Sequence, residues 1–136
     1  MEHYGYFEHD ADIGIIGRGA TPEAAFEAAA VAVFAIMAEG VEGPWETEIA
    51  FGFEEDDLEF ALIAWLNGLI ARAQAEGAVL GKFALKREGN RWEARAWGLP
   101  WNETITRGVE VKGATLTMLS VRESGGVWEA RCIVDV

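Results

Sequence analysis

Trp45-Glu46-Thr47-Glu48-Ile49-Ala50-Phe51-Gly52-Phe53, running on through Asp57-Leu58 to Gly77, decides the fold class because the hydrophobic period changes within it. Trp45, Thr47, Ile49, Phe51 and Phe53 alternate with Glu46, Glu48, Ala50 and Gly52, the two-residue repeat of a strand with one wet face. Asp56 or Asp57 then supplies an N-cap. Leu58, Leu62, Trp65, Leu66, Leu69, Ile70 and Ala73 recur at helical spacing until Gly77 ends the run. A strand with one apolar face feeding a helix with one apolar face requires helices packed on a sheet.

The flanks repeat both periods. Upstream, Thr21-Pro22-Glu23 gives a cap, a proline at the first helical position and an early acid, and Phe26, Ala29, Ala30, Val33, Phe34 and Met37 form the stripe of another helix stopping at Gly40. Downstream, Val79 to Arg87 and Arg91 to Gly98 read as a hairpin turning at Glu88-Gly89-Asn90, with Trp92, Ala94 and Ala96 on one face. After a loop from Leu99 to Gly108, Val109 to Val121 reads as extended, and Ser124-Gly125-Gly126 turns into a last strand, Val127 to Val134. The fold class is therefore α+β: two amphipathic helices packed on largely antiparallel β-sheet, the N- and C-terminal strands adjacent.

A chain of 136 residues suits a single domain, 1–136, since a domain near this size buries roughly 68% of the surface its unfolded chain exposes. Half of the residues are apolar, with six Trp and seven Phe, enough burial to offset the entropy of ordering the chain. The 23 acidic residues against 11 basic ones give a net charge of −12, and no stretch gathers Lys and Arg into a phosphate-neutralising stripe. Direct nucleic-acid binding is disfavoured, whereas a cation or a basic partner surface is attracted.

Cys132 is the only cysteine, which excludes an intramolecular disulfide and a thiolate zinc cluster. Met1-Glu2-His3-Tyr4 lacks a basic segment followed by an apolar one, and no apolar window reaches about 18 residues, so a cytoplasmic location without membrane contact is expected. Nucleophilic chemistry is poorly provided for. Cys132 has no neighbouring base, there is no Gly-x-Ser-x-Gly elbow, and Gly14-Ile15-Ile16-Gly17-Arg18-Gly19 lacks both P-loop and dinucleotide-binding spacing. Asn102-Glu103-Thr104 matches a glycosylation pattern, and with no secretory signal expected the match is read as chance. Trp101, an indole among turn formers, reads as a contact surface.

The chemistry-bearing residues lie at the two ends. His9-Asp10-Ala11-Asp12 falls in the first strand region, and Asp135-Val136 closes the last strand. Domain termini often lie near each other, so Asp12, Asp135 and the α-carboxylate of Val136 are candidates to converge on one hard cation: Ca²⁺, Mg²⁺ or Mn²⁺. In an extended segment Asp10 and Asp12 project together, opposite His9 and Ala11. Asp135 shares its face with Glu129 and Arg131, away from Trp128, Ala130, Cys132 and Val134. The plainer account is that Asp12 caps a turn before Gly14 and Asp135 is a solvated terminal residue. His9 is either a fourth ligand, a general base or a hydrogen-bonded core histidine. Lys112 either orients a carboxylate, touches a partner or guards a sheet edge.

Taken together, Phe7-Glu8-His9-Asp10-Ala11-Asp12-Ile13-Gly14-Ile15, the capped helix with Phe26 and Ala29, Asp57-Leu58 with Trp65-Leu66-Asn67, Val111-Lys112-Gly113-Ala114-Thr115 and the closing Asp135-Val136 resemble the archease family over nearly the whole chain. Members of that family open with a His-Thr-Ala-Asp-Ile-Gly pattern and end on an aspartate followed by one aliphatic residue. The resemblance implies a non-catalytic accessory protein of the tRNA-splicing RNA ligase, the GTP-dependent enzyme that is guanylylated on a histidine. It implies that the helper promotes guanylylation and multiple turnover. It further implies a divalent metal, calcium first, on Asp12, Asp135 and Val136, and a role for Lys112. Three departures stand out: Asp10 replaces the usual threonine, Leu116-Thr117 replace a common Tyr-His pair, and residues 99–108 lack an expected histidine. The competing functions are a small metal-dependent hydrolase using Asp12, Asp135 and His9, and a chaperone-like or structural domain whose cation ties the ends together.

Overall fold

The computed structural model describes residues 3–136; Met1 and Glu2, which open the segment read above for a leader, lie outside the described residues. The order of elements is β1 (Tyr4–His9), β2 (Asp12–Gly19), α1 (Pro22–Met37), β3 (Ala38–Glu39), β4 (Thr47–Glu54), α2 (Leu58–Glu76), β5 (Ala78–Glu88), β6 (Arg91–Pro100), β7 (Thr106–Arg107), β8 (Gly113–Ala114), β9 (Ser120–Ser124) and β10 (Val127–Asp135). One sheet has the order β1-β2-β10-β8, with β9 also paired to β10. The first and last strands, expected to be adjacent, are therefore separated by β2, and it is this second strand that lies beside β10. A second sheet has the order β4-β6-β5; β3 and β7 form a short ribbon. Each of these pairings is antiparallel.

Both helices start where the sequence caps them. Thr21 accepts a hydrogen bond from the Ala24 N–H at 3.0 Å, and Asp57 accepts from the Glu59 and Phe60 N–H groups at 2.8 and 3.0 Å, which satisfies donors a helix leaves unpaired. Gly77 ends α2 in the left-handed region at φ 63°, open to glycine without strain. The end of α1 differs from expectation. Ala38 turns extended immediately after Met37 because it pairs with Arg107, so strand pairing stops the helix two residues before Gly40.

α1 is wrapped more completely than its stripe implied. Ala25, Ala28 and Ala32 are buried alongside Phe26, Ala29, Ala30, Val33 and Phe34, because the helix packs on β2 and β10 on one side and on β5 on the other. Its approach to β2 is possible only over glycine: a Cβ at Gly17 would overlap the Ala25 carbonyl oxygen and the Ala29 backbone. α2 is held to α1 by the Trp65 Nε1–H, which donates to the Phe26 carbonyl at 2.8 Å. Phe26 stacks on Trp92 at 5.4 Å and Phe53 on Trp92 at 5.8 Å. Phe26 and Trp92, both fully buried, each contribute on the order of 1.5–3 kcal/mol through area removed from water, and Phe26→Ala would cost roughly 3–5 kcal/mol.

The β5–β6 hairpin turns at Gly89-Asn90, and the β9–β10 hairpin turns at Gly125-Gly126, whose φ values of 59° and 81° are those the favoured hairpin turns demand. The stretch 109–121 corrects the sequence reading: between Val109 and Leu119 only Gly113–Ala114 pairs as a strand, followed by a loop with Met118 at φ 52° before β9 begins at Ser120. The loop still clings to β10. Thr115 N–H donates to the Ile133 carbonyl at 2.9 Å, and Ile133 N–H donates to the Thr117 carbonyl at 3.2 Å. Similarly, the loop read from Leu99 is shorter, since β6 continues to Pro100 and Thr106–Arg107 pairs with β3.

Candidate functional site

β1 and β2 form a hairpin in which His9 pairs with Asp12, leaving Asp10 and Ala11 as the turn. Asp10 occupies it with φ 52°, a left-handed conformation that aspartate tolerates better than most residues. This corrects the expected alternation through residues 9–12. Cross-strand partners share a face, so it is His9, not Asp10, that stands on the same side of the sheet as Asp12. The Asp10 carboxylate is 92% exposed and lies 3.8 Å from His9 Nδ1.

β10 runs beside β2, and the last registered pair is Val134 with Ile13. The next residue on each strand is Asp135 and Asp12, so these two aspartates lie side by side at the end of the ladder. On the other flank of β10, Asp135 pairs with Gly113 of β8, and the Lys112 N–H donates to the Asp135 carbonyl at 2.8 Å. The row across the sheet therefore reads His9, Asp12, Asp135, Gly113, with Lys112 one residue from its end. Asp12 is half-buried and Asp135 and Lys112 are exposed, while Val136 packs partly against the core. The five sequence-selected residues His9, Asp12, Lys112, Asp135 and Val136 are thus brought to one end of one sheet; Asp10 sits at the adjoining turn.

β8 is only two residues long, and what holds it is a side chain that the sequence reading did not single out for this purpose. Asn67 of α2 accepts from the Ala114 N–H at 2.8 Å and donates Nδ2–H to the Ala114 carbonyl at 3.2 Å. An asparagine on the apolar stripe of a helix, amid Trp65, Leu66, Leu69 and Ile70, is the signal that would have found it, because a half-buried amide there needs partners.

Among the described residues, no group of three or more His, Cys, Asp or Glu side chains is gathered as a metal cluster. The expected ligand set asks for less: two aspartates and one main-chain carboxylate. The donor chemistry fits a hard cation, because all three groups offer anionic oxygen. Like charges on neighbouring strands repel, and the ion pairs formed among the described residues include neither Asp12 nor Asp135. Cys132, by contrast, is in the core, where burial pushes its thiol up to about 12 and removes it from any nucleophilic role at neutral pH. No helix is long and apolar enough to cross a membrane among the described residues.

Residues 4–136 match the model of the Archease protein family. Protein archease of Sulfolobus acidocaldarius is 33% identical over 104 residues, covering 75% of each chain. The solution structure of Methanobacterium thermoautotrophicum protein 1598 superposes with a TM-score of 0.81 at 26% identity, covering 100% of both chains. A Thermotoga maritima crystal structure, described as an archease, possible chaperone, shares the fold with a TM-score of 0.69 at 24% identity over 96% of this chain and 94% of that one. By the family match over all but its first three residues, this chain belongs to the archease family.

Proposed function

We propose that this chain is a metal-binding accessory protein of the cytoplasm that activates the tRNA-splicing RNA ligase, promoting the ligase's guanylylation from GTP and its multiple turnover, and that it performs no catalysis itself. The observation that carries this is the family match across residues 4–136. The meeting of the ends of β2 and β10 supports the metal part. Asp12 and Asp135 would hold a divalent cation together with the Val136 carboxylate, calcium before magnesium or manganese, because a shallow oxygen site at a strand end suits the flexible coordination of Ca²⁺. The ion would neutralise the paired carboxylates and fix the end of β10 against β2. His9, Asp10 and Lys112 border the site, and Lys112 offers its ammonium to a partner from beside Asp135.

Activation through a partner needs differential affinity: the helper must bind the GTP-accepting state of the ligase more tightly than the resting one. Its net charge of −12 favours a basic cleft on the ligase over contact with RNA. The test is ligation under limiting ligase and GTP with the cognate enzyme. Addition of this protein in catalytic amounts is expected to raise guanylylation and turnover; unchanged rates with metal present would overturn the proposal. A chaperone-like role is the second reading, favoured by the description of the Thermotoga maritima relative. It would appear instead as suppressed aggregation of unrelated unfolded proteins with no effect on ligation.

A further inference from the structure

We propose that the opposite end of the same sheet face is a binding site for a phosphate-bearing small molecule of nucleotide size, built on Arg122 and Arg131 and braced by Arg18 and Glu129. The site goes beyond the activator role and does not depend on it.

Three strands bring these side chains together. Glu129 of β10 pairs with Arg18 of β2 on one side and with Arg122 of β9 on the other, so the three share a face. Arg131 lies two residues along β10 on that face. Arg18 Nε–H donates to Glu129 Oε2 at 3.2 Å, and Arg131 donates Nε–H and Nη2–H to Glu129 Oε1 at 3.1 and 2.9 Å. One carboxylate therefore orders two guanidinium groups, each about a third exposed, and is itself neutralised by them. The Arg131 guanidinium is further set over the Phe7 ring at 5.2 Å.

Arg122 has no ion-pair partner among the described residues. Its neighbour Glu123 alternates to the other face of the strand. Three arginines against one glutamate leave a local surplus of two positive charges in a chain whose net charge is −12.

Beside them opens a cavity of about 410 Å³ lined by Met118, Leu119, Ser120, Arg122, Glu129 and Arg131. That volume lies within the roughly 300–1,000 Å³ of small-ligand sites. Arginine forks match phosphate oxygens two at a time, the Ser120 hydroxyl adds a donor, and Met118 with Leu119 gives an apolar wall for the rest of the ligand. A pre-ordered guanidinium loses less entropy on binding than a free one. An extended nucleic-acid strand is disfavoured, because it would have to track a surface that is acidic outside this patch. Asp135 is four residues further along β10, roughly 13 Å at strand spacing, so the two ends of the face do not share ligands.

Titration calorimetry on the full chain in low salt with EDTA, which removes any metal bridge, tests the site using inorganic phosphate, pyrophosphate, GMP, GTP and a glutamate-rich peptide as probes. Saturable binding of pyrophosphate and of at least one nucleotide is expected, weakened by salt. Arg122→Gln should weaken it about tenfold or more, the loss of one charge-assisted contact. Arg122 is exposed, so this variant keeps its fold; Arg131→Lys retains charge without the fork and should bind more weakly than the parent chain. Absence of saturation with every phosphate probe, equal binding by Arg122→Gln, or binding of the acidic peptide alone would each overturn the proposal.

Discussion

Lys112 donates its backbone N–H to the carbonyl of Asp135 at 2.8 Å, so the strand that carries one proposed metal ligand is locked, main chain to main chain, to the residue proposed to face the ligase. Because the lock is backbone, the Lys112 side chain is separable from it. Lys112→Ala is expected to change unfolding free energy by less than about 0.5 kcal/mol, as for an ordinary exposed position. The same variant is expected to reduce stimulation of the ligase. Chemical denaturation beside a ligation assay checks both halves; a large stability loss would mean that the ammonium is structural.

Asn67 is the keystone of the short strand on the far side of Asp135. Asn67→Ala removes two hydrogen bonds to Ala114 and leaves its half-buried N–H and carbonyl without their side-chain partner. The expected cost is about 1–3 kcal/mol, measured by denaturant unfolding. Hydrogen exchange should show the Ala114 amide losing protection before the β5–β6 hairpin does. Retained protection at Ala114 would assign β8 to some other support.

Periodicity carried the regular elements: the stretch from Trp45 to Gly77 yields β4, the Asp57 cap, α2 and its left-handed stop with little shift of boundary. It failed where pairing, not pattern, decides. Val109 to Val121 is rich enough in β-branched residues to read as one strand, yet it pairs with β10 only at Gly113–Ala114 and again at Ser120–Val121, where β9 begins. The loop beyond is anchored by Thr115 and Thr117 bonds to Ile133 that no local signal announces. At residues 9–12 the error was a missed hairpin turn, since Asp10-Ala11 lacks the Asn-Gly or Asp-Gly signature. The gathering of His9, Asp12, Lys112 and Asp135 was foreseeable only as end-to-end proximity; the role of Asn67 was not.

Glu27 on α1 accepts the Leu85 N–H at 2.8 Å, and its carboxyl is raised above the usual range, chiefly by burial, with Glu23 adding to the effect and the Leu85 bond opposing it. A raised folded-state value means that the acid favours folding when protonated. Its contribution is fully present below the unfolded value near 4.5 and is lost as pH climbs through the raised one. Glu27→Gln keeps an oxygen to accept from Leu85 without the charge. The variant should therefore be more stable than the parent at pH 7, with the difference vanishing toward pH 4. Thermal melts across that range decide it; a variant less stable at pH 7 would contradict the assignment.

Cys132 lies wholly inside the core, paired with Ile15 of β2, its thiol raised to about 12 by burial. Iodoacetamide at pH 8 is expected to leave the folded protein unmodified and to label it at the rate of unfolding in denaturant. The neutral thiol also contributes stability that is complete below pH 9 and is lost as pH rises toward 12. Cys132→Ser should cost about 1–3 kcal/mol, because the hydroxyl it buries gains no partner. Fast labelling of the native chain would place the thiol at the surface.

The joined strand ends are tested most directly by calcium titration of the metal-free protein, followed by calorimetry. The parent chain should take up a single ion, while Asp12→Asn, Asp135→Asn and a chain extended past Val136 by two glycines should each lose that uptake and keep the fold. Equal calcium affinity in the parent and in either aspartate variant would contradict the account.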